Sequence, residues 1–216
     1  NFEKAIRELK QHVSMQLGHV SVAALPSMAV GYLIPAVAQF KQKYPGVTVS
    51  ITDVDTNECL RLVREGKVDF ALASVVSAHH ELMTESLCSD AFYLVCSINH
   101  PLAAETKIDL NTLSKYPIIQ FAKSTSIRQH LDASFYPEKL MTDMEVFNLS
   151  TVTGLVENNI GISIVPEMAL FLFNKPSIMA IPLNELIPNR EVSLIRLKER
   201  AQSVTSLALI DFLRKN

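Results

Sequence analysis

Short apolar runs recur along this chain, and each is followed by a polar turn and then by apolar residues at helical spacing. Alternation at 20–24 and 47–51 is typical of strands, and 69–73 is typical of a buried strand. Helical spacing occupies 33–44, and N-cap chemistry opens a second helical stretch at 55–66. The order strand–helix–strand–helix–strand predicts parallel strands with right-handed crossovers.

The second half of the chain repeats this plan without repeating its sequence. Strands are expected at 118–121, 144–147 and 162–165, and helices at 127–135 and after Asn148. The remaining expected elements are a helix from Pro166-Glu167, a strand at Val192–Leu197 and a final helix at Val204–Leu213 with Leu207, Ile210 and Leu213 turned inward. Two small α/β lobes of short parallel strands best fit a length of 216 residues.

The N-terminal segment stands apart from these two lobes. Apolar residues from Phe2 to Leu17 form a helical stripe, and Gly18 suits the end of that helix. The chain opens at Asn1 without a methionine and in what reads as mid-helix. We therefore expect a fragment of a longer protein, with a connecting helix at its start.

Composition argues against several classes of protein. The net charge is −2, and basic residues never run longer than two, which disfavours a DNA-gripping surface. Apolar runs stay well short of the roughly 18 residues that a membrane span needs, and no secretory signal is visible. We expect no membrane partner.

The cysteines predict a reducing environment. Cys59, Cys88 and Cys96 are odd in number and lack C-x-x-C spacing, which disfavours a disulfide framework or a zinc site. Two interpretations remain for Cys88 and Cys96: a redox pair, or buried thiols that act as small hydrophobic groups, and we favour the second. The sequence thus indicates a cytoplasmic protein with no metal or cofactor.

Small neutral polar residues stand where the expected strands give way to helices. In parallel α/β sheets, ligands bind beyond the carboxyl ends of the strands, where helix N-termini favour anions. The residues at these points are Ser27, Thr56, Ser124, Thr125, Ser126 and Asn148. Each is also an ordinary helix cap, but their shared chemistry favours a common ligand site. Arg128 is either a carboxylate ligand or, as we favour, a surface arginine.

Catalysis has little support in the sequence. The sequence contains no motif typical of a nucleophile elbow, a P-loop, a metal-binding histidine cluster or a glycine-rich dinucleotide turn. Asp53 and Asp55 are the only acids near Thr56, so an enzyme on this scaffold would have to use them. We expect no enzymatic activity.

Several motifs together resemble the effector domain of LysR-type transcriptional regulators. They are Pro26-Ser27 before Leu33-Ile34-Pro35, Tyr44-Pro45-Gly46-Val47, Glu65-Gly66-Lys67-Val68-Asp69-Phe70-Ala71-Leu72, His100-Pro101-Leu102-Ala103 and Asn159-Ile160-Gly161-Ile162-Ser163-Ile164-Val165-Pro166. Each motif alone is weak, but their order across residues 5–215 is specific. The chain is similar to this family over nearly its whole length.

The resemblance implies an α/β fold of two Rossmann-like lobes joined by two hinge strands, like a type II periplasmic binding protein. Residues 1–17 would be the remnant of a linker helix, 18–90 with 196–216 the first lobe, and 91–195 the second. A small anionic metabolite, such as a carboxylate, would bind between the lobes and shift a homodimer or tetramer. The helix at 33–44 is a candidate dimer contact. DNA would be read by an N-terminal winged helix-turn-helix absent from this chain.

The resemblance also implies which residues bind the effector. They are Ser27 or Met28, Thr56, Phe121, Ser124, Thr125, Ser126, Arg128, Phe147 and Asn148. The choice between Ser27 and Met28 stays open because 27–35 is one residue longer than is usual in the family. Asn159 replaces a more usual glycine, which affects only the turn. The main alternative is a solute-binding protein of a transport system.

Overall fold

The computed structural model describes residues 2–75 and 79–215. Asn1, at which the sequence predicts that the chain begins within a helix, lies outside the described residues. The chain forms two compact units, of which the first comprises Asn1–Cys88 and Val192–Asn216 and the second Ser89–Glu191. Among the described helices, none is both long and apolar enough to cross a membrane.

The first unit is built on a five-stranded sheet. Its strands lie in the order β2-β1-β3-β10-β4. Their bounds are β1 His19–Ala24, β2 Thr48–Asp53, β3 Phe70–Ala73, β4 Leu82–Asp90 and β10 Arg190–Leu197. The helices are α1 Phe2–Leu17, α2 Pro26–Met28, α3 Ile34–Lys43, α4 Thr56–Arg64 and α8 Val204–Leu213. The last residues of β4 and the first of β10 belong to the second unit.

The parallel pairing predicted for the first three strands is confirmed. Strand β1 runs parallel to β2, with His19 opposite Thr48, and parallel to β3, with Val22 opposite Phe70. Strand β10 closes the other side of β3 in the antiparallel direction. The carboxyl ends of β1 and β2 therefore share one sheet edge, where α2 and α4 begin.

The helix after β1 contains a local irregularity. Helix α2 continues through a π-helical turn at Ala29–Leu33 into α3, so helical backbone extends from Pro26 to Lys43. A π-turn holds one residue more than the α-helical turn that it replaces. A π-turn at this place is what the extra residue implied by the resemblance between Ser27 and Pro35 would produce.

The apolar faces of α8 and α1 differ in how far they are buried. In α8, Leu209, Ile210 and Leu213 are buried, whereas Leu207 is 41% exposed, so the inward assignment of Leu207 was wrong. The stripe on α1 is exposed along its length, for example 64% at Leu9. The apolar face of α1 is thus left largely uncovered by this chain.

The second unit is built from two smaller sheets. Its elements are β5 Phe92–Ser97, α5 Leu110–Leu113, β6 Ile118–Phe121, α6 Ser126–Phe135, β7 Thr142–Val146, α7 Leu149–Glu157, β8 Ser163–Pro166 and β9 Ile178–Pro182, with 3-10 turns at Pro101–Ala104 and Glu167–Phe173. Strand β5 pairs antiparallel with β8 and β9, whereas β6 and β7 are parallel. The expectation of parallel strands alone was therefore wrong for this unit.

A compact core lies between these sheets and their helices. Phe92, Ile119 and Val165 are buried within it, on β5, β6 and β8. The turn after α7 places Asn159 at a φ of 53°, a left-handed conformation that asparagine tolerates better than most residues. Asparagine therefore suits this turn, where the resemblance implies a glycine.

Candidate ligand-binding site

The first unit places Thr56 at the shared carboxyl edge of β1 and β2. The helix cap is Asp55, whose Oδ1 accepts a hydrogen bond of 2.9 Å from the N–H of Glu58. Thr56 is the first helical residue, and its Oγ1 atom is buried with no partner in the described part of the chain. The N-cap chemistry predicted at Asp55-Thr56-Asn57 is thus supplied by the Asp55 carboxylate and not by the Thr56 hydroxyl. The Thr56 hydroxyl is left with an unmet hydrogen-bonding capacity.

Ser27 and Met28 both lie at the start of α2 and are both buried. Ser27 is 2% exposed, and Met28, at 0%, is among the largest fully buried side chains. A thioether packed in the core has weak hydrogen-bonding capacity, whereas a hydroxyl both donates and accepts. Of the two, Ser27 has the chemistry to recognise a polar ligand.

The second unit places the serine–threonine run at the start of α6. Thr125 is the cap, with its Oγ1 accepting from the N–H of Arg128 at 3.2 Å and donating to the carbonyl of Ala122 at 2.8 Å. Ser124 is exposed, and Ser126 is half-buried as the first helical residue. The N–H groups of Ser126 and Ile127 have no acceptor among residues 2–75 and 79–215. These free donors are what an anion at a helix N-terminus uses.

Helix α7 starts without a side-chain cap. Asn148 occupies the cap position, as predicted, but its side chain makes no hydrogen bond to the helix. Its side chain is exposed, and the neighbouring Phe147 is 57% exposed. An uncapped N-terminus next to an exposed amide and an aromatic ring can hold a ligand that has both polar and apolar parts.

The side chains of Arg128 and Phe121 contact other parts of the second unit. The Arg128 side chain is only 12% exposed and contacts Asp132 at 2.9 Å and Glu145 at 3.3 Å. It also donates to the carbonyl of Phe121 at 3.2 Å. The favoured interpretation of Arg128 as a surface residue is therefore wrong, and its charge is balanced by two carboxylates. Phe121 is 2% exposed and belongs to the core, so Phe147 is the exposed ring at this end of the unit.

A buried ion pair that the sequence analysis missed lies beside the start of α6. Arg190 donates from Nε and Nη2 to Asp90 Oδ2, at 3.0 and 2.7 Å. Burial lowers the pKa of Arg190, and the Asp90 carboxylate opposes that change. An arginine in such a pair stays charged at neutral pH. The two residues are far apart in the sequence and belong to no local motif, so only the fold reveals them.

This ion pair connects to Ser126 and to an aromatic stack. Arg190 Nη1 donates to Ser126 Oγ at 3.2 Å, and its guanidinium lies 5.9 Å from the ring centroid of Phe92. Phe92 in turn stacks on His130, with 4.9 Å between the ring centroids. Burial lowers the pKa of His130. The N-terminal turn of α6 thus contacts a buried cluster of Arg190, Asp90 and Phe92.

Of the cysteines, Cys59 and Cys96 are buried. Burial raises the pKa of Cys59 to about 12 and that of Cys96 to about 11. Both thiols are therefore protonated and poorly reactive at neutral pH. This supports the interpretation of these two residues as small hydrophobic groups.

Comparison with known proteins assigns the family. The model described as the LysR substrate binding domain matches residues 15–216. The chain belongs to the LysR family. It is the ligand-sensing regulatory domain of a LysR-type regulator, as the sequence motifs predicted, and the solute-binding alternative is not favoured.

LysR relatives of this chain are transcriptional regulators. The uncharacterized HTH-type transcriptional regulator YbhD of Escherichia coli (strain K12) is 30% identical over 205 residues, which are 94% of this chain and 64% of that protein. The HTH-type transcriptional regulator CysB of Burkholderia cenocepacia is 24% identical over 195 residues, covering 89% of this chain and 62% of that protein. The chain thus spans less than two thirds of the length of these relatives.

Solved LysR regulatory domains share the fold. The effector-binding domain of QuiR in complex with shikimate matches with a TM-score of 0.81 and 24% identity, over 93% of this chain and 97% of that one. The sulfate-bound regulatory domain of an OxyR2 mutant from Vibrio vulnificus gives a TM-score of 0.79 and 19% identity, over 94% and 97% of the two chains. The prediction of an α/β fold like that of periplasmic binding proteins is confirmed.

Proposed function

We propose that this LysR domain senses a small molecule carrying an anionic group, and that Ser27, Thr56, Ser126 and Asn148 take part in binding it. The orphaned hydroxyl of Thr56 is the observation that carries the proposal. A buried hydroxyl without a partner costs about 1–3 kcal/mol, and a ligand acceptor would remove that cost. Free N–H groups at α6 and α7 supply matching donors in the second unit.

The anionic character of the ligand rests on the groups that the chain offers. Hydroxyls and backbone N–H groups donate hydrogen bonds, and helix N-termini carry partial positive charge. The related structures named above hold shikimate and sulfate, which are both anions at neutral pH. Exposed Phe147 adds an apolar surface for a carboxylate with a ring.

The regulatory part of the proposal concerns the rest of the protein. The relatives are HTH-type transcriptional regulators, of which this chain covers only part. We propose that ligand binding changes contacts between copies of the chain and so redirects DNA-binding domains outside it. The exposed apolar stripe on α1 and the exposed Val30 and Ile34 near α3 support self-association.

An enzymatic role is not part of the proposal. Of the two acids that the sequence offered for catalysis, Asp55 is engaged as the cap of α4, and Asp53 ends the exposed strand β2. Among the described residues, neither carboxylate forms an ion pair. A binding role accounts for the polar groups without a reaction.

A thermal-shift screen of sulfate, shikimate and small carboxylates tests the proposal. A ligand that binds only the folded state at 100 times its Kd raises stability by about 2.7 kcal/mol. The shift should shrink in Thr56→Val and in Ser126→Ala. The matched controls Thr48→Val, at the other end of β2, and Ser114→Ala, after α5, should keep it. A shift that survives both site changes would refute the assignment of these residues.

A further inference from the structure

The start of α6 is supported by the most deeply buried charges of the second unit. The side chains of Arg190 and Asp90 are 1% and 0% exposed. Asp90 Oδ1 also accepts a hydrogen bond of 3.0 Å from the N–H of Met168, which fixes the carboxylate on its other side. The guanidinium is thus held in one place, with its charge balanced, and it contacts Ser126 from there.

The direction of the hydrogen bond at Ser126 is set by chemistry. A guanidinium has only donors, so Ser126 Oγ must accept the bond from Arg190 Nη1. A hydroxyl has one hydrogen, which then points away from the guanidinium and is available to another acceptor. Within the described parts of the chain, nothing accepts that hydrogen. The Ser126 hydroxyl is therefore left as an oriented donor beside the free N–H groups of the helix.

We propose that Arg190 is a positioning residue that orients the Ser126 hydroxyl so that its hydrogen is presented to the ligand, and that the ligand atom held there is an acceptor such as an oxyanion oxygen. This inference rests on the proposed function, since it assumes that Ser126 contacts the ligand. Arg190 acts through Ser126 and not by its own charge, because Asp90 neutralises it and both are buried.

A double-mutant cycle on the 216-residue chain tests the inference, with sulfate as the probe and calorimetric titration as the measurement. Arg190→Lys keeps a positive charge opposite Asp90 but lacks the planar fork that reaches Asp90 and Ser126 together. We expect it to weaken sulfate binding about tenfold in the otherwise unchanged chain. In a chain that already carries Ser126→Ala, the same change should have no further effect.

Two more variants complete the design. Ser126→Thr keeps a hydroxyl and should keep the sensitivity to Arg190→Lys that Ser126→Ala removes, whereas a purely structural role of Arg190 would give the same loss in all three chains. Where Arg190→Lys does not fold by circular dichroism, the paired change of Arg190→Gln with Asp90→Asn removes both buried charges and enters the same cycle. It should give the same dependence on the Ser126 hydroxyl.

The outcomes separate the two proposals. An equal loss of affinity with and without Ser126→Ala would overturn the positioning role, because Arg190 would then act through the fold. In that case a loss caused by Ser126→Ala alone would still support the proposed function. If the unchanged chain binds neither sulfate nor shikimate, or if Ser126→Ala leaves binding intact, the proposed function fails at this residue and the positioning role fails with it.

Discussion

Replacing Thr56 by valine separates a ligand-binding role of its hydroxyl from a structural one, because the two roles predict opposite changes in stability. Thr56 Oγ1 is buried without a partner among the described residues. Valine keeps the β-branched shape and replaces the hydroxyl by a methyl group. The ligand-free chain would thereby lose an unsatisfied polar group, whose burial costs about 1–3 kcal/mol.

We expect Thr56→Val to raise the free energy of unfolding of the ligand-free chain by about 1 kcal/mol, the low end of that range, because the residue as a whole is only half-buried. In a chain of this size, such a gain raises the melting temperature by about 2–4 °C. Saturating ligand should cancel the gain. A lost donor that weakens binding about tenfold removes about 1.4 kcal/mol of the stabilisation that the ligand gives.

Urea unfolding followed by circular dichroism, with and without shikimate, measures both effects. Thr48→Val is the matched control, because Thr48 Oγ1 has a partner, 2.8 Å away at His19 Nδ1. The control should gain no stability and should leave the response to shikimate unchanged. A loss of more than about 1 kcal/mol for Thr56→Val without ligand would refute the reasoning, since it would show that the hydroxyl has a partner in the free chain.

Three further predictions follow from the fold. Arg190→Met should lower the free energy of unfolding by about 3–5 kcal/mol in urea titrations, because it leaves the Asp90 carboxylate buried without its ion-pair partner. Adding Asp90→Asn should recover part of the loss, and a loss below about 1 kcal/mol would contradict the burial of the pair. Asn159→Ala should cost about 1 kcal/mol in the same assay and Asn159→Gly nothing, because the left-handed φ of 53° disfavours alanine; equal effects would argue against that conformation. Hydrogen bonding from Arg214 lowers the pKa of Glu85, so the stability that this pair contributes is present above the unfolded pKa of about 4.3 and is lost as the pH falls below it. Glu85→Gln should reduce the loss of stability below that pH, and an unchanged pH dependence would contradict the pairing.

The elements that the sequence predicted best are those with a clear period. The observed bounds of β6, Ile118–Phe121, and of α8, Val204–Leu213, coincide with those expected. Strand β5 was missed because it is buried almost throughout, so its apolar run has no alternation to detect. Strand β4 was missed for the opposite reason, since most of its residues are polar or exposed. Pairing direction in the second unit depends on contacts distant in sequence, which local patterns do not contain.

The site was predictable as a set of helix starts but not in its details. Runs such as Ser124–Ser126 mark an N-terminus, yet the sequence does not say which hydroxyl caps the helix and which stays available. At α4 the cap is Asp55, and the Oγ1 atom of the next residue, Thr56, has no partner among the described residues. The role of Arg190 could not be predicted from the sequence, because its partners, Asp90 and Ser126, lie 100 and 64 residues away along the chain.

The distribution of caps indicates which unit attracts negative charge. The N-terminus of α4 already carries the carboxylate of Asp55, which offsets the partial positive charge of the helix. Helices α6 and α7 begin instead with the neutral residues Thr125 and Asn148, and the buried charge beside α6 is balanced within its own pair. A like charge near Asp55 would be repelled, whereas uncompensated N–H groups favour it. Of the two units, we therefore expect the second to hold the anionic group of the ligand, and Thr56 to donate its hydroxyl hydrogen to an uncharged acceptor.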